Sequence, residues 1–141
     1  MSCVVDCAVR SQARRFRCMS ESVLFVGTYE IPTGGVDAFH SQIAAMNQVI
    51  RDLEPRVLFI GHYLNEDETE GASVHLHPDA DSFDFHMATA AKAIDNGTQT
   101  VQVKRIEFYG RPSDNVVSQL SAVFDVRVKT WADGLSRIDW P

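Results

Sequence analysis

The period of the hydrophobic pattern changes repeatedly between residues 23 and 109, and the order of those changes leaves the chain very few topologies. Val23 to Ile31 (VLFVGTYEI) is β-branched and aromatic and is closed by Pro32 and the Gly34-Gly35 pair, the pattern of a buried strand and a turn. From Val36 onward Phe39, Ile43, Met46, Ile50 and Leu53 recur at intervals of three and four until Pro55, which predicts an amphipathic helix. Val57 to Leu64 (VLFIGHYL) predicts a second strand, and the acidic NEDETEG turn leads to a third around Ser73 to His77. So short a connection makes the two an antiparallel hairpin. Pro78 ends that strand, Asp81 or Ser82 is placed to cap a helix, and Phe83, Met87, Ala90 or Ala91, and Ile94 supply its buried stripe up to Asn96-Gly97. Val101 to Tyr109 (VQVKRIEFY) is a fourth strand, closed by Gly110 and Pro112.

Strand, helix, strand, strand, helix, strand is the order of an α+β, ferredoxin-like βαββαβ domain, in which two helices cover one face of an antiparallel sheet. A short helix from Asp114 to Val123 and a fifth strand from Val126 to Thr130 are appended. The strands are apolar on both faces, since Val23 and Phe25 point to one side of the first and Leu24 and Val26 to the other. The uncovered face therefore predicts a homodimer, with the fifth strand available to complete the partner's sheet.

The 141 residues suit one domain. Residues 1–18 hold Arg10, Arg14, Arg15 and Arg17 against Asp6, a net charge of +3, so the formal −6 of the whole leaves −9 on residues 19–141. An acidic body lacks the basic patch that phosphate contacts require, and no nucleic-acid partner is expected. Cys3, Cys7 and Cys18 all fall in the basic leader, so the body has no disulfide framework. The leader has no apolar run long enough for a secretory or membrane segment, and Met19 opens a plausible chain start directly after it. It is read as a disordered leader or non-native extension, and residues 19–141 as a single cytoplasmic domain with a C-terminal tail and no membrane partner.

Chemistry concentrates between Tyr63 and Met87, where three of the five histidines lie. His75 and His77 leave one face of their strand together. Three readings stay open for them: metal ligands, if His86, Glu70 or Glu107 supplies a third; polar groups of a pocket, acting as base or orienting a substrate; or structural residues bonded to the turn at Pro78 and filling an interface. The His-x-His spacing does not fit a cupin, because long helices replace the all-β pattern. His86 lies early in the second helix beside the core position Met87. Tyr63, Arg105, Glu107 and Tyr109 are further candidates for substrate contact, the last three sharing a strand face, with an Arg105–Glu107 ion pair as the alternative. Gly34-Gly35 has neither the spacing nor the lysine of a phosphate loop. His40 and Asn47 border the buried stripe of the first helix.

The NED-type turn, the HPDADSFDFH stretch leading into the second helix and the IEFYG strand end resemble the dimeric α/β-barrel superfamily that contains the antibiotic biosynthesis monooxygenase domains. The resemblance spans roughly Val23 to Lys129. It implies a small enclosed pocket between sheet and helices, and an activity among cofactor-independent oxygenases, haem-degrading enzymes, decarboxylating or dehalogenating enzymes and inactive members. The haem-degrading branch carries a Trp shortly after its helical His. Here Met87, Ala88, Thr89 and Ala90 follow His86, and Trp131 and Trp140 lie in the tail, so haem degradation is not expected. The resulting expectation is a small-molecule-binding protein, acting as a cofactor-independent monooxygenase on an aromatic or quinone-like substrate. His75, His77 and His86 would be the base or anion stabiliser, Tyr63, Arg105, Glu107 and Tyr109 the substrate contacts, with no metal or other cofactor. A non-catalytic scaffold or ligand sensor, and a metal-dependent enzyme using His75 and His77, are the alternatives.

Overall fold

The computed structural model describes residues 19–136 and 138. The leader with its three cysteines, and Trp140, lie outside the described residues. A 3₁₀ turn, Met19–Glu21, leads into β1 (Val23–Glu30), followed by α1 (Val36–Leu53), β2 (Phe59–Leu64), β3 (Glu70–His77), α2 (Ala80–Thr89), α3 (Ala91–Thr98), β4 (Gln102–Gly110), α4 (Asp114–Ser121) and β5 (Val126–Lys129). The sheet order is β2-β3-β1-β4-β5, antiparallel through the first four strands. The ferredoxin-like α+β expectation holds.

Local chemistry moves several boundaries. Val57 donates to the Glu54 carbonyl, closing a turn after α1, so β2 begins at Phe59 and not at Val57. The Asn65 side chain accepts from the backbone N–H groups of Thr69 and Glu70, which closes the hairpin tightly and lets β3 start at Glu70, three residues before Ser73. Asp79, not Asp81 or Ser82, caps α2: it is extended directly after Pro78, and its carboxylate accepts from the Ser82 N–H at 3.0 Å.

The second helix is two helices. At Ala90 the backbone turns to φ −91°, ψ 7°, and α3 starts afresh, continuing through Asn96-Gly97 to Thr98. Neither glycine nor proline causes the break. Ala90 itself is 1% exposed, and the bend lets α2 lay Phe83 and His86 on the sheet while α3 turns to pack on α1. The helix ends where Thr100 bonds the Gly97 carbonyl through both its N–H and its hydroxyl.

β5 also departs from expectation. It pairs in parallel with β4 of its own chain, Ile106 beside Val126 and Phe108 beside Val128, with α4 as the crossover. The helix and strand of this appendage end two and one residues earlier than the sequence pattern suggests.

The helices cover the face bearing Val23, Phe25, Ile106 and Phe108. Val23 and Phe108 are fully buried there, with Phe83 from α2 and Val116 from α4 completing the centre of the core. Burying each such side chain contributes about 1.5–3 kcal/mol. Leu53, in the last turn of α1, remains 55% exposed. At the far end of β4, Gly110 has φ +113°, and a Cβ there would fall 1.9 Å from the Ser22 carbonyl oxygen, so only glycine fits this crossing. No helix among the described residues is long and apolar enough to cross a membrane.

Candidate functional site

Alternation along β3 turns Gly71, Ser73, His75 and His77 toward the helices. The register sets them beside Tyr29, Gly27, Phe25 and Val23 of β1, and sets His62 of β2 beside Ser73. α2 lays His86 over this row. Ring centroids are 4.9 Å apart for His75 and His86, 5.6 Å for His77 and His86, 6.1 Å for His75 and His77, and 6.3 Å for His62 and His75.

His86 is held from behind. Its Nδ1 lies 2.8 Å from Oε2 of Glu54, with both side chains almost wholly buried. Glu54 is the residue that ends α1, where its own N–H donates to the Ile50 carbonyl. In the tautomer in which Nδ1 donates to Glu54, Nε2 carries the lone pair of the ring.

His77 is completely buried, with Nδ1 2.9 Å from the Ser82 hydroxyl and no partner for Nε2. Burial first, and then the charge of His86, pushes its pKa down to about 3. Burial likewise holds His75 well below the ordinary histidine value, reinforced by the other histidines, and its Nδ1 has no partner. Both rings are therefore neutral at neutral pH.

A cavity of about 150 Å³ opens between the sheet and the helices. That is the size at which an apolar cavity takes up benzene. Phe25, Phe39, Met87, Ile94, Leu120 and Phe124 give it an apolar wall, while Tyr29, His62, Ser73, His75 and His86 supply polar groups. Three of these five form a chain: the Tyr29 hydroxyl bonds the Ser73 hydroxyl, which lies 2.8 Å from Nδ1 of His62. Burial raises the Tyr29 pKa and lowers that of His62, so both are neutral near pH 7. The Tyr29 ring lies over Gly71, where a Cβ would come within 2.7 Å of its Cε2. Glycine at this point is what gives the ring its place.

The seven residues singled out from sequence thus divide. His75 and His86 line the cavity, and His77 packs behind them, against Phe83 and His86. Tyr63, Arg105, Glu107 and Tyr109 lie on the opposite face of the sheet, beside Ala72, Thr28, Val26 and Leu24. They do not share a pocket with the histidines, because Ile106 and Phe108 take the inward positions of β4 and His62 takes that of β2. Nor do Arg105 and Glu107 pair with each other. Glu107 accepts from Lys129 at 3.0 Å, which holds its pKa below the usual value, and Arg105 pairs with Asp125 at 3.6 Å. Among the described residues no group of three histidines, cysteines or carboxylates is arranged to hold a metal ion. Of the third ligands considered, Glu70 lies on the exposed hairpin end and Glu107 on the other face, while His86 lies beside His75 and His77 but has its Nδ1 bonded to Glu54.

No protein-family model and no curated protein sequence matches the chain. Solved structures do. MupZ from Pseudomonas fluorescens superposes with a TM-score of 0.72 at 20% identity, covering 83% of this chain and 95% of that one. SnoaB, a cofactor-independent oxygenase from Streptomyces nogalater, superposes at 0.56 and 12% identity, covering 66% and 95%. A candidate antibiotic biosynthesis monooxygenase from Caulobacter crescentus CB15 superposes at 0.57 and 14% identity, covering 66% and 92%. The fold is that of the antibiotic biosynthesis monooxygenase-like proteins. The space between sheet and helices in this fold is the cavity described above, with His62, His75 and His86 in its lining.

Glu54, Tyr29, His62 and Ser73 escaped the sequence reading. Parity carried a signal for Ser73, two residues before His75, and for Tyr29, two and four positions along from Gly27 and Phe25. Nothing local ties Glu54 to a histidine 32 residues away.

Proposed function

We propose that this protein binds a small, mainly apolar molecule of aromatic or quinone-like character in the cavity and abstracts a proton from it with His86. The observation that carries this reading is the buried Glu54–His86 pair, whose ring reaches the apolar cavity with Nδ1 already engaged. A base so held has one tautomer and one orientation, and placement of that kind contributes about 10²–10⁴-fold to rate. His75, neutral and beside His86, serves as a hydrogen-bonding partner for the substrate anion.

The finer reading is cofactor-independent monooxygenation. The deprotonated substrate supplies the electrons, a CH₂ of its keto tautomer becomes C=O, one atom of dioxygen enters the product and the other leaves as water. The SnoaB likeness supports it at the level of fold. A second copy of the chain covers the outer sheet face, where Phe59 is 44% and Tyr63 52% exposed. Tyr63, Arg105, Glu107 and Tyr109 then serve that interface and not the substrate. The cysteine-free body accords with a cytoplasmic setting.

Oxygen uptake and ¹⁸O incorporation on a panel of one- and two-ring phenols and hydroquinones, with binding followed by calorimetry, test the proposal. The expected result is uptake on at least one member that His86→Gln removes while binding persists. Binding across the panel without oxygen uptake sinks the oxygenase and leaves a ligand sensor. Absence of binding sinks the cavity as a site.

A further inference from the structure

Tyr29, Ser73 and His62 have no part in the proton abstraction above, yet they run in one hydrogen-bonded chain from the cavity to a second pocket. That outer pocket, of about 250 Å³, is bordered by His40 and Asn47 of α1 and shares His62 with the inner one. Nε2 of His62 and Oδ1 of Asn47 are both buried and without a partner. Two unpartnered polar atoms at one pocket are the setting for a bridging water, which needs two to four such partners. Each link of the chain can both donate and accept.

We propose that Tyr29 is the acid of this site and that Ser73 and His62 resupply its proton from the outer pocket. The substrate is thereby a carbonyl compound with an acidic C–H, and the first chemical step is its enolisation. This rests on His86 as base and on the cavity as the binding site. The C–H proton goes to Nε2 of His86, and its electron pair forms the C=C bond of the enol. The carbonyl π pair moves onto oxygen, which takes the phenolic proton of Tyr29. Tyr29 takes the Ser73 proton, Ser73 takes the Nδ1 proton of His62, and Nε2 of His62 takes one from water in the outer pocket. His62 ends as the other tautomer, and the proton left on His86 returns to solvent when the enol is released, neutralising the hydroxide left by the outer-pocket water. The neutral state of Tyr29 and His62 at neutral pH suits both roles.

The test uses 2-indanone, a compact ketone whose carbonyl lies between two benzylic CH₂ groups, without dioxygen. Its CH₂ signal is followed by proton NMR in D₂O, and its binding by calorimetry. The expected result is protein-accelerated deuterium exchange that falls about a hundredfold in Tyr29→Phe with affinity held within about twofold. Ser73→Ala reads the same arm should Tyr29→Phe not fold. Added imidazoles are expected to restore exchange in His62→Ala and not in Tyr29→Phe, to an extent that follows their pKa, a dependence that a merely structural His62 does not produce. Exchange at the wild-type rate in both Tyr29→Phe and Ser73→Ala, with His86→Gln inactive, overturns the relay and keeps the base. Binding of 2-indanone without accelerated exchange overturns the enolisation and keeps the cavity. Absence of binding removes both.

Discussion

Glu54 and His86 bear on stability as much as on chemistry, because both are buried and Nδ1 of His86 has its partner in Oε2 of Glu54, whose Oε1 has none. Glu54→Ala strands the Nδ1 donor of His86 away from water, a loss of about 1–3 kcal/mol in urea-unfolding free energy. Glu54→Gln keeps an acceptor in place and is expected to cost less than Glu54→Ala. His77 sets the response to acid. Its pKa is 6.5 unperturbed and about 3 in the folded protein, so between those values the unfolded chain binds the extra proton and the folded one does not. Stability is then unaffected above pH 6.5 and falls as pH drops toward 3, by about 2 kcal/mol at pH 5 from this residue alone. His75, shifted in the same direction, adds to the loss. Urea midpoints at pH 8 and pH 5 check the sign, and His77→Gln is expected to flatten the difference.

Among the elements, α2 decides the site, since it delivers His86 and Phe83 together. Its start depends on Asp79, whose carboxylate caps Ser82 and also pairs with Arg56. Asp79→Ala is expected to cost about 1 kcal/mol from the cap. Because Ser82 in turn bonds His77, the same change is expected to perturb the His77 and His86 ring resonances in NMR spectra more than those of β5 residues. The existence and kind of each element were legible in its hydrophobic period. The stop of α2 at Ala90 was not, for no residue there disfavours helix, and the break is imposed by two packing directions, onto the sheet and onto α1. The cap of α2 is Asp79 in place of Asp81 or Ser82, because all three are good caps in isolation and only the backbone angles after Pro78 choose among them.

Over the whole molecule, the face that the helices leave bare is the one on which the proposed second copy packs. Leu24, Val26, Val74 and Leu76 share it with the exposed rings of Phe59 and Tyr63, while Lys129 bridges Glu107 and Tyr109 at its edge. A mass of twice the protomer is expected by light scattering after gel filtration. Val26→Asp is expected to shift it to the protomer, by placing an unpaired charge in a dry interface. A wild-type protomer mass would remove the dimer while leaving the cavity, which lies on the other face, intact. Since β5 completes its own sheet, its removal is not expected to abolish association.

The sequence by itself determined the order of elements, the helix-covered sheet and the shared direction of His75 and His77, because each follows from local period and strand parity. It could not decide which face became the cavity, since both faces are apolar and parity alone does not say where helices settle. It placed Tyr63, Arg105, Glu107 and Tyr109 among the substrate contacts, and the register turned them away. Only the tertiary structure brought Glu54 to His86 and Tyr29 through Ser73 to His62. Those contacts join residues 32 and 44 positions apart, and they come from the packing of helix on sheet and of strand on strand, which no local pattern encodes.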